Sequence, residues 1–459
     1  MSLSSLVYPR YQVTPLPRRH PHHYLRLIGP RILYWGFSGA LLSEYVAEML
    51  RRDIKIYLHN SFNSLQSFNH KIRPKICVKN DMIKLKKKKS RKYKEFDFPV
   101  PMYFIAKFFH EFPFLANAVH TIESFQLKKK LEQVDIDRPI YIIGLARAGT
   151  TITLEMLNQH PDVAGHRYLH MVLPYTPHWT QVIANYTPLM TSPVERLHKD
   201  RITVTRDSPE AVEEIFWQKF FENLHDETIS NILDVQVQNL QFESFYRDHI
   251  KKLLINRNAT RYLAKNNYNV ARMEYLHRLF PDVKFIIIVR NPFDHIASLV
   301  KQDRILKELE YDDPRLLDWT KIIGHREFGT AKVCINFDNP KIIQRIRQLW
   351  NHKETYIEGW AVYWSETYSY ILKQLKTKTN LAKASLVVRY EDLCENSEIM
   401  IDRIIDHIEV DSEKFIKIKK YYSRRLHKPT YYITKFNRKE REEIIHTAGE
   451  IAEKYGYFL

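Results

Sequence analysis

Two short stretches of this chain gather residue types that hold negative charge. The first is Gly144-Leu-Ala-Arg147-Ala148-Gly149-Thr150-Thr151, which follows the apolar run Pro139-Ile-Tyr-Ile-Ile143. Its two glycines let the backbone turn tightly, so that the N–H groups from Arg147 through Ala148 and Gly149 to Thr151 converge on an anion at a helix start. The hydroxyls of Thr150 and Thr151 add donors, and Arg147 offers a charge-assisted contact. The spacing is that of a P-loop, with Thr150 where nucleoside-triphosphate enzymes carry the lysine that reaches the β- and γ-phosphates.

The second stretch is Arg290-Asn-Pro-Phe-Asp294-His-Ile-Ala-Ser298, directly after Lys284-Phe-Ile-Ile-Ile-Val289. Pro292 suits an early helical position. Arg290 then stands at a strand end and Ser298 one to two helical turns beyond, and both can reach one phosphate from two directions. In a magnesium-dependent NTPase such a strand ends in a metal-binding aspartate. Arg290 in that place repels a metal and attracts an anion, so the pair of motifs predicts two anion cradles and no metal site.

The elements around these motifs are short apolar runs, each followed by a turn and an amphipathic helix. Strands are predicted at 139–143, 162–165, 261–264, 284–289 and 385–389. Helices are predicted at 150–159, 209–224, after Lys265 to near Phe280, and through Ser298. Continuous apolar strands alternating with helices indicate an α/β fold, a parallel sheet flanked by helices on both faces. Ligands on such sheets bind at the carboxyl ends of the strands, where each motif lies.

With both strings in place and in order, the chain resembles the PAPS-dependent sulfotransferase family, where PAPS is 3′-phosphoadenosine 5′-phosphosulfate. Tyr390-Glu-Asp-Leu393 after the last strand adds to the likeness, which covers roughly residues 136–459 and fits bacterial-type and tyrosylprotein-type members better than classical cytosolic ones. The resemblance implies a P-loop NTPase-like sulfotransferase fold, PAPS as co-substrate and adenosine 3′,5′-bisphosphate as product. Arg147, Ala148, Gly149, Thr150 and Thr151 would hold the 5′-phosphosulfate, and Arg290 with Ser298 the 3′-phosphate. Two departures stand out: Ala148 replaces a serine common in relatives, and the glycine-rich C-terminal nucleotide motif of cytosolic members is not evident. Arg424, Arg425 and Lys428 are candidates to supply charge there.

Sulfuryl transfer builds negative charge on the bridging and equatorial oxygens, so fixed cations should dominate catalysis. Lys265 ends a strand where tyrosylprotein-type relatives carry a catalytic lysine, and Arg147 is the second cation. A base must take the acceptor's proton. His166 and His170 follow the second strand, where some relatives keep their base, and histidine titrates near working pH. Glu213 or Glu214, at the start of the 209–224 helix with Ser208 as its cap, is the carboxylate alternative. Tyr168, Tyr175, Trp179 and Trp217 are aromatic residues suited to an acceptor pocket or to a core, and the tail from Tyr421 to Tyr432 is a candidate cap.

Composition bounds the rest. Of the net charge of +18, residues 1–135 carry 24 Lys/Arg against 10 Asp/Glu, and residues 136–459 carry 47 against 43. The division suggests a basic, mostly helical N-terminal extension (1–135), with an aromatic-rich helical segment from Pro101 to Lys130, before a sulfotransferase domain (136–459). Eight of the eleven residues from Lys84 to Lys94 are basic, a run suited to solvent or to an anionic membrane surface. Met1 to His23 has no apolar signal core, and the Ile32–Ser43 stretch is shorter than the roughly 20 residues a span needs. The three cysteines, Cys77, Cys334 and Cys394, fit neither a disulfide framework nor a zinc spacing, which points to the cytoplasm. The acceptor is expected to be a small molecule, carbohydrate, lipid or peptide, with no specific nucleic acid. Rival readings are a P-loop kinase or NTPase, which needs a metal carboxylate, and a non-catalytic polyanion binder. The binder has no need of Arg147, Lys265, Arg290 and Ser298 together.

Overall fold

The computed structural model describes residues 100–186, 193–195, 203–428 and 435–459, all within one compact unit spanning 91–459. The Lys84–Lys94 run, the Ile32–Ser43 stretch and residues 429–432 of the tail lie outside the described residues. Among them the strands are β1 (Ile140–Ile143), β2 (Val163–Gly165), β3 (Val194–Glu195), β4 (Thr203–Val204), β5 (Arg261–Lys265), β6 (Lys284–Val289) and β7 (Ser385–Arg389). Five form a parallel sheet in the order β2-β5-β1-β6-β7, and β3 pairs antiparallel with β4.

The sheet is parallel and covered on both sides because its strands are apolar at nearly every position. Ile140, Tyr141, Ile142 and Ile143 are all fully buried. Alternation then divides the core in two. Tyr141, Ile143, Tyr262, Ala264, Phe285 and Ile287 face one cluster, which includes side chains of the Leu240–Arg257 and Tyr356–Thr377 helices. Ile140, Ile142, Leu263, Ile286 and Ile288 face the other, with the Thr150–Leu157 and Ser397–Ile408 helices. Tyr103, Ala106, Phe109 and Ala116, from the helices Val100–Glu111 and Pro113–Leu131, belong to the first cluster, so the described part of the region before 135 shares the main core. No helix among the described residues is long and apolar enough to cross a membrane.

The Pro101–Lys130 segment is helical as expected, in two helices, because Pro113 cannot continue the first and starts the second. Two elements differ from the sequence expectation. The 209–224 helix is only Glu214–Phe220, with Glu213 at its N-cap in place of Ser208. Tertiary pairing overrides helix propensity there: the Tyr168 and Leu169 amides donate to the Ser208 and Arg206 carbonyls, and the Glu210 amide donates to the His166 carbonyl. After β5 the chain makes a 3₁₀ segment, Asn267–Arg272, and the α-helix begins only at Met273.

Candidate active site

The loop after β1 is shaped by left-handed backbone. Gly144 has φ +140°, Arg147 φ +71° and Gly149 φ +110°. A Cβ at Gly144 would lie 2.5 Å from the Ile288 carbonyl oxygen, and one at Gly149 would lie 2.3 Å from the Tyr390 ring. Glycine is therefore required at both places, to let the loop settle between β6 and Tyr390. Three successive carbonyls of the loop accept hydrogen bonds: Leu145 from the Ala148 amide at 3.2 Å, Ala146 from His295 Nε2 at 2.8 Å, and Arg147 from Arg290 Nη1 at 3.1 Å. The helix begins with the Thr153 amide donating to the Gly149 carbonyl. The amides of Thr150, Thr151 and Ile152 precede that bond, the orphan donors at which a helix start binds anions.

The second motif meets the first directly. Asn291 caps the Pro292–Asp312 helix by accepting from the Phe293 amide, with Pro292 at its first position. Ser298 Oγ accepts from Arg147 Nε at 3.3 Å, and Arg290 is 6% exposed with its guanidinium 5.1 Å from the centre of the Tyr390 ring. Glu391 accepts from the Asn291 amide at 3.1 Å and from the Tyr457 hydroxyl at 2.6 Å. Arg147, Gly149, Thr150, Arg290 and Ser298 are thus brought together, and the Tyr-Glu of Tyr390–Leu393 holds both motifs in place.

Lys265 is half-buried at the carboxyl end of β5, opposite Ile142 in register. Alternation places it with Leu263 and Ile142, on the sheet face covered by the helix that the phosphate loop opens. The next residue, Asn266, donates to Glu214 Oε2 at 2.7 Å. Glu214 also accepts from Arg272 at 2.7 and 2.8 Å, and His225 Nε2 lies 2.7 Å from it. Burial alone would raise the Glu214 pKa, but the Arg272 charge and hydrogen bonds win and hold it well below the usual carboxylate range. Glu214 is therefore a closed ion pair that anchors the turn after Lys265.

His166, His170 and Glu213 sit elsewhere, on the Tyr262 face of the sheet. Glu213 is 1% exposed and accepts from the hydroxyls of Tyr262, at 2.7 Å, and Tyr246. His166 Nε2 lies 2.8 Å from His249 Nε2, and its Nδ1 is 3.3 Å from the Tyr262 hydroxyl. His170 Nδ1 accepts from the Arg167 amide at 2.9 Å. Burial lowers the pKa of His166 to about 3, lowers that of His170, and raises that of Glu213. Tyr262 links His166 and Glu213 in one buried network, His170 is buried with its ring centre 6.0 Å from that of His166, and Lys265 lies on the other face. Of the aromatic candidates, Tyr175 and Trp217 fill the core, while Tyr168 and Trp179 are partly buried. Arg424 and Arg425 line an open basic concavity of about 630 Å³ with Lys417, Lys420, Tyr421 and His427, and Lys428 pairs with Glu395 at 2.5 Å.

Sequence reasoning missed Tyr390 as a wall of the loop and His295, Trp364 and Tyr457 as its supports. His295 stood inside the Arg290–Ser298 string, the one signal available for it. Nothing in the spacing ties Trp364 or Tyr457 to residues 144–149.

Residues 139–323 match the Sulfotransferase family, an interval that includes the phosphate loop, Lys265, Arg290 and Ser298. No curated protein sequence matches the chain. A sulfotransferase from Mycobacterium avium is 13% identical, with 73% of this chain and 82% of that one covered at a TM-score of 0.45. One from Mycobacterium tuberculosis H37Rv is 14% identical, with 76% and 84% covered and a TM-score of 0.42. One from Alicyclobacillus acidocaldarius is 15% identical, with 70% and 94% covered and a TM-score of 0.32. Over residues 139–323, this chain is similar to the sulfotransferase family.

Proposed function

We propose that the chain transfers a sulfuryl group from PAPS to an acceptor hydroxyl or amine. The observation that carries this reading is the direct contact of the two anion motifs, Arg147 with Ser298 and Arg290 with the Arg147 carbonyl. One small nucleotide with phosphate groups at both its 3′ and 5′ positions can engage both. The loop fits such a ligand, since its carbonyls are tied away and a Cβ at Gly149 would disturb it.

The bound donor supplies an activated sulfuryl group on a phosphosulfate anhydride. The loop amides with Thr150 and Thr151 hold the 5′-phosphosulfate, and Arg290 with Ser298 hold the 3′-phosphate. Lys265 offsets negative charge on the oxygen that leaves, with Arg147 as the second cation. A guanidinium at the end of β6, where NTPases hold a metal carboxylate, supports transfer without metal. Among the described residues two thiols are free, Cys334 buried and Cys394 half-buried, and they support a reducing, cytoplasmic setting.

Calorimetry with adenosine 3′,5′-bisphosphate against ATP–magnesium tests the donor, and labelled PAPS with phenolic, carbohydrate, lipid and peptide acceptors tests the transfer. Arg290→Ala is expected to weaken bisphosphate binding by about 2 kcal/mol, the worth of a charge-assisted hydrogen bond. Lys265→Ala is expected to lower kcat about 10²-fold, as for other preorganised donors, with bisphosphate affinity nearly unchanged. Preference for ATP–magnesium, or an Arg290→Ala variant with full affinity, would overturn the proposal.

A further inference from the structure

The orientation of the loop amides depends on what holds its carbonyls from outside, and one of those groups lies in neither anion cradle. His295 is fully buried, in the first turn of the Pro292–Asp312 helix. Its Nε2 is 2.8 Å from the Ala146 carbonyl oxygen, and its Nδ1 is 3.2 Å from Trp364 Nε1 on the Tyr356–Thr377 helix. A carbonyl only accepts and an indole N–H only donates, so the ring is neutral with its proton on Nε2. Burial pushes its pKa down to about 3, and the Arg290 and Arg147 charges act in the same direction, against the hydrogen bond to Ala146. One turn along from Trp364, the Tyr368 hydroxyl donates to the Ile288 carbonyl at 3.0 Å and engages the backbone of Leu145. Two side chains four residues apart on one helix therefore brace the loop, one of them through His295.

In a planar trans peptide the carbonyl and the following N–H point in opposite directions. A hydrogen bond that pulls the Ala146 carbonyl towards His295 turns the Arg147 amide the other way. We propose that His295, its ring fixed by Trp364, is a positioning residue that aims the Arg147 amide at the 5′-phosphosulfate. This rests on the donor proposed above and adds two residues from outside the anion cradles to its binding end. Each bond is oriented when the chain folds, so the amide is in place before the ligand arrives.

The test is calorimetry on the full chain with two probes, adenosine 5′-monophosphate and adenosine 3′-monophosphate. His295→Leu is expected to weaken the 5′-monophosphate about tenfold, the value of one oriented hydrogen bond, while the 3′-monophosphate changes by less than about twofold. His295→Gln, whose amide can donate to the Ala146 carbonyl, should restore most of the loss. Trp364→Phe should shift the same ratio in the same direction by a smaller factor. If His295→Leu does not fold, His295→Asn, too short to reach the carbonyl, is compared with His295→Gln. An equal loss for both nucleotides, no loss for the 5′-monophosphate, or no rescue by glutamine overturns the positioning role. An unmutated chain that binds neither nucleotide instead overturns the donor assignment, and this inference with it.

Discussion

Replacing Gly149 with alanine should damage the site through one side chain, Tyr390, and the damage can be divided. The new Cβ would lie 2.3 Å from Tyr390 Cδ2 and 2.7 Å from Cε2, far inside the separation of about 3.5 Å at which carbon atoms rest. A left-handed backbone at φ +110° costs an alanine about 1–2 kcal/mol. Forcing a methyl group into the packed ring adds about 1–3 kcal/mol. Gly149→Ala should therefore cost about 2–5 kcal/mol of stability. Tyr390→Ala alone should cost about 3–5 kcal/mol, because the ring is 9% exposed and stacks on Arg290. The double variant removes the collision and keeps the backbone strain, so the two costs should fall short of additivity by about 1–3 kcal/mol. Urea unfolding of the four proteins measures this coupling, and bisphosphate calorimetry on the same samples shows whether a displaced Tyr390 carries Arg290 with it. Additivity within about 0.5 kcal/mol would mean that Tyr390 does not press on the loop, and the description of the site would be wrong.

Two further outcomes follow from the buried charges. Glu214→Gln removes the counter-charge of Arg272, which is 1% exposed and lies over the Trp217 ring at 4.6 Å. Breaking a buried pair on one side costs about 3–5 kcal/mol, and a loss below 1 kcal/mol in urea unfolding would contradict the closed pair. Burial pushes His120, His166 and His295 down to about 3 from 6.5. Their folded pKa values lie below the unfolded one, so the unfolded chain takes up more protons in acid. Stability is full above about pH 6.5 and falls as pH drops toward 3, by about 2 kcal/mol per histidine at pH 5. Tm should be level from pH 7 to 8 and roughly 10 °C lower at pH 5. A level Tm down to pH 5 would mean that these rings are not buried neutral.

Much of the site was legible because its signals are local. A fully apolar run followed by two glycines five residues apart reads as strand, tight turn and helix, and β1, Gly144 and Gly149 fulfil it. Arg290-Asn-Pro carries its own geometry: asparagine caps, proline starts the helix, and the arginine is left at the strand end. What was not legible arises from contacts distant in sequence. The helix expected from Pro209 loses its first turn because residues 206–210 pair with the chain after β2. His166 and His170 looked available to an acceptor, but the Leu240–Arg257 helix brings His249 and Tyr246 over that face and closes it. Periodicity along 240–257 shows an amphipathic helix, and it cannot show which loop the helix will cover.

The same distinction bears on how the loop would bind the proposed donor with alanine at position 148. A serine hydroxyl there would be one donor among several, and losing it matters little if the main-chain donors are already aimed. Here they are aimed by groups 140 to more than 200 residues away in sequence: Arg290 on the Arg147 carbonyl, His295 on the Ala146 carbonyl, Tyr390 against Gly149, and Trp364 on His295. Binding an anion with mobile amides would require ordering them first, at about 1–2 kcal/mol per residue. In this chain that ordering is completed by the fold, so the free energy of each new hydrogen bond appears as affinity. Loosening any one brace should therefore cost affinity at the 5′ end of the nucleotide, even where the braced residue never touches it.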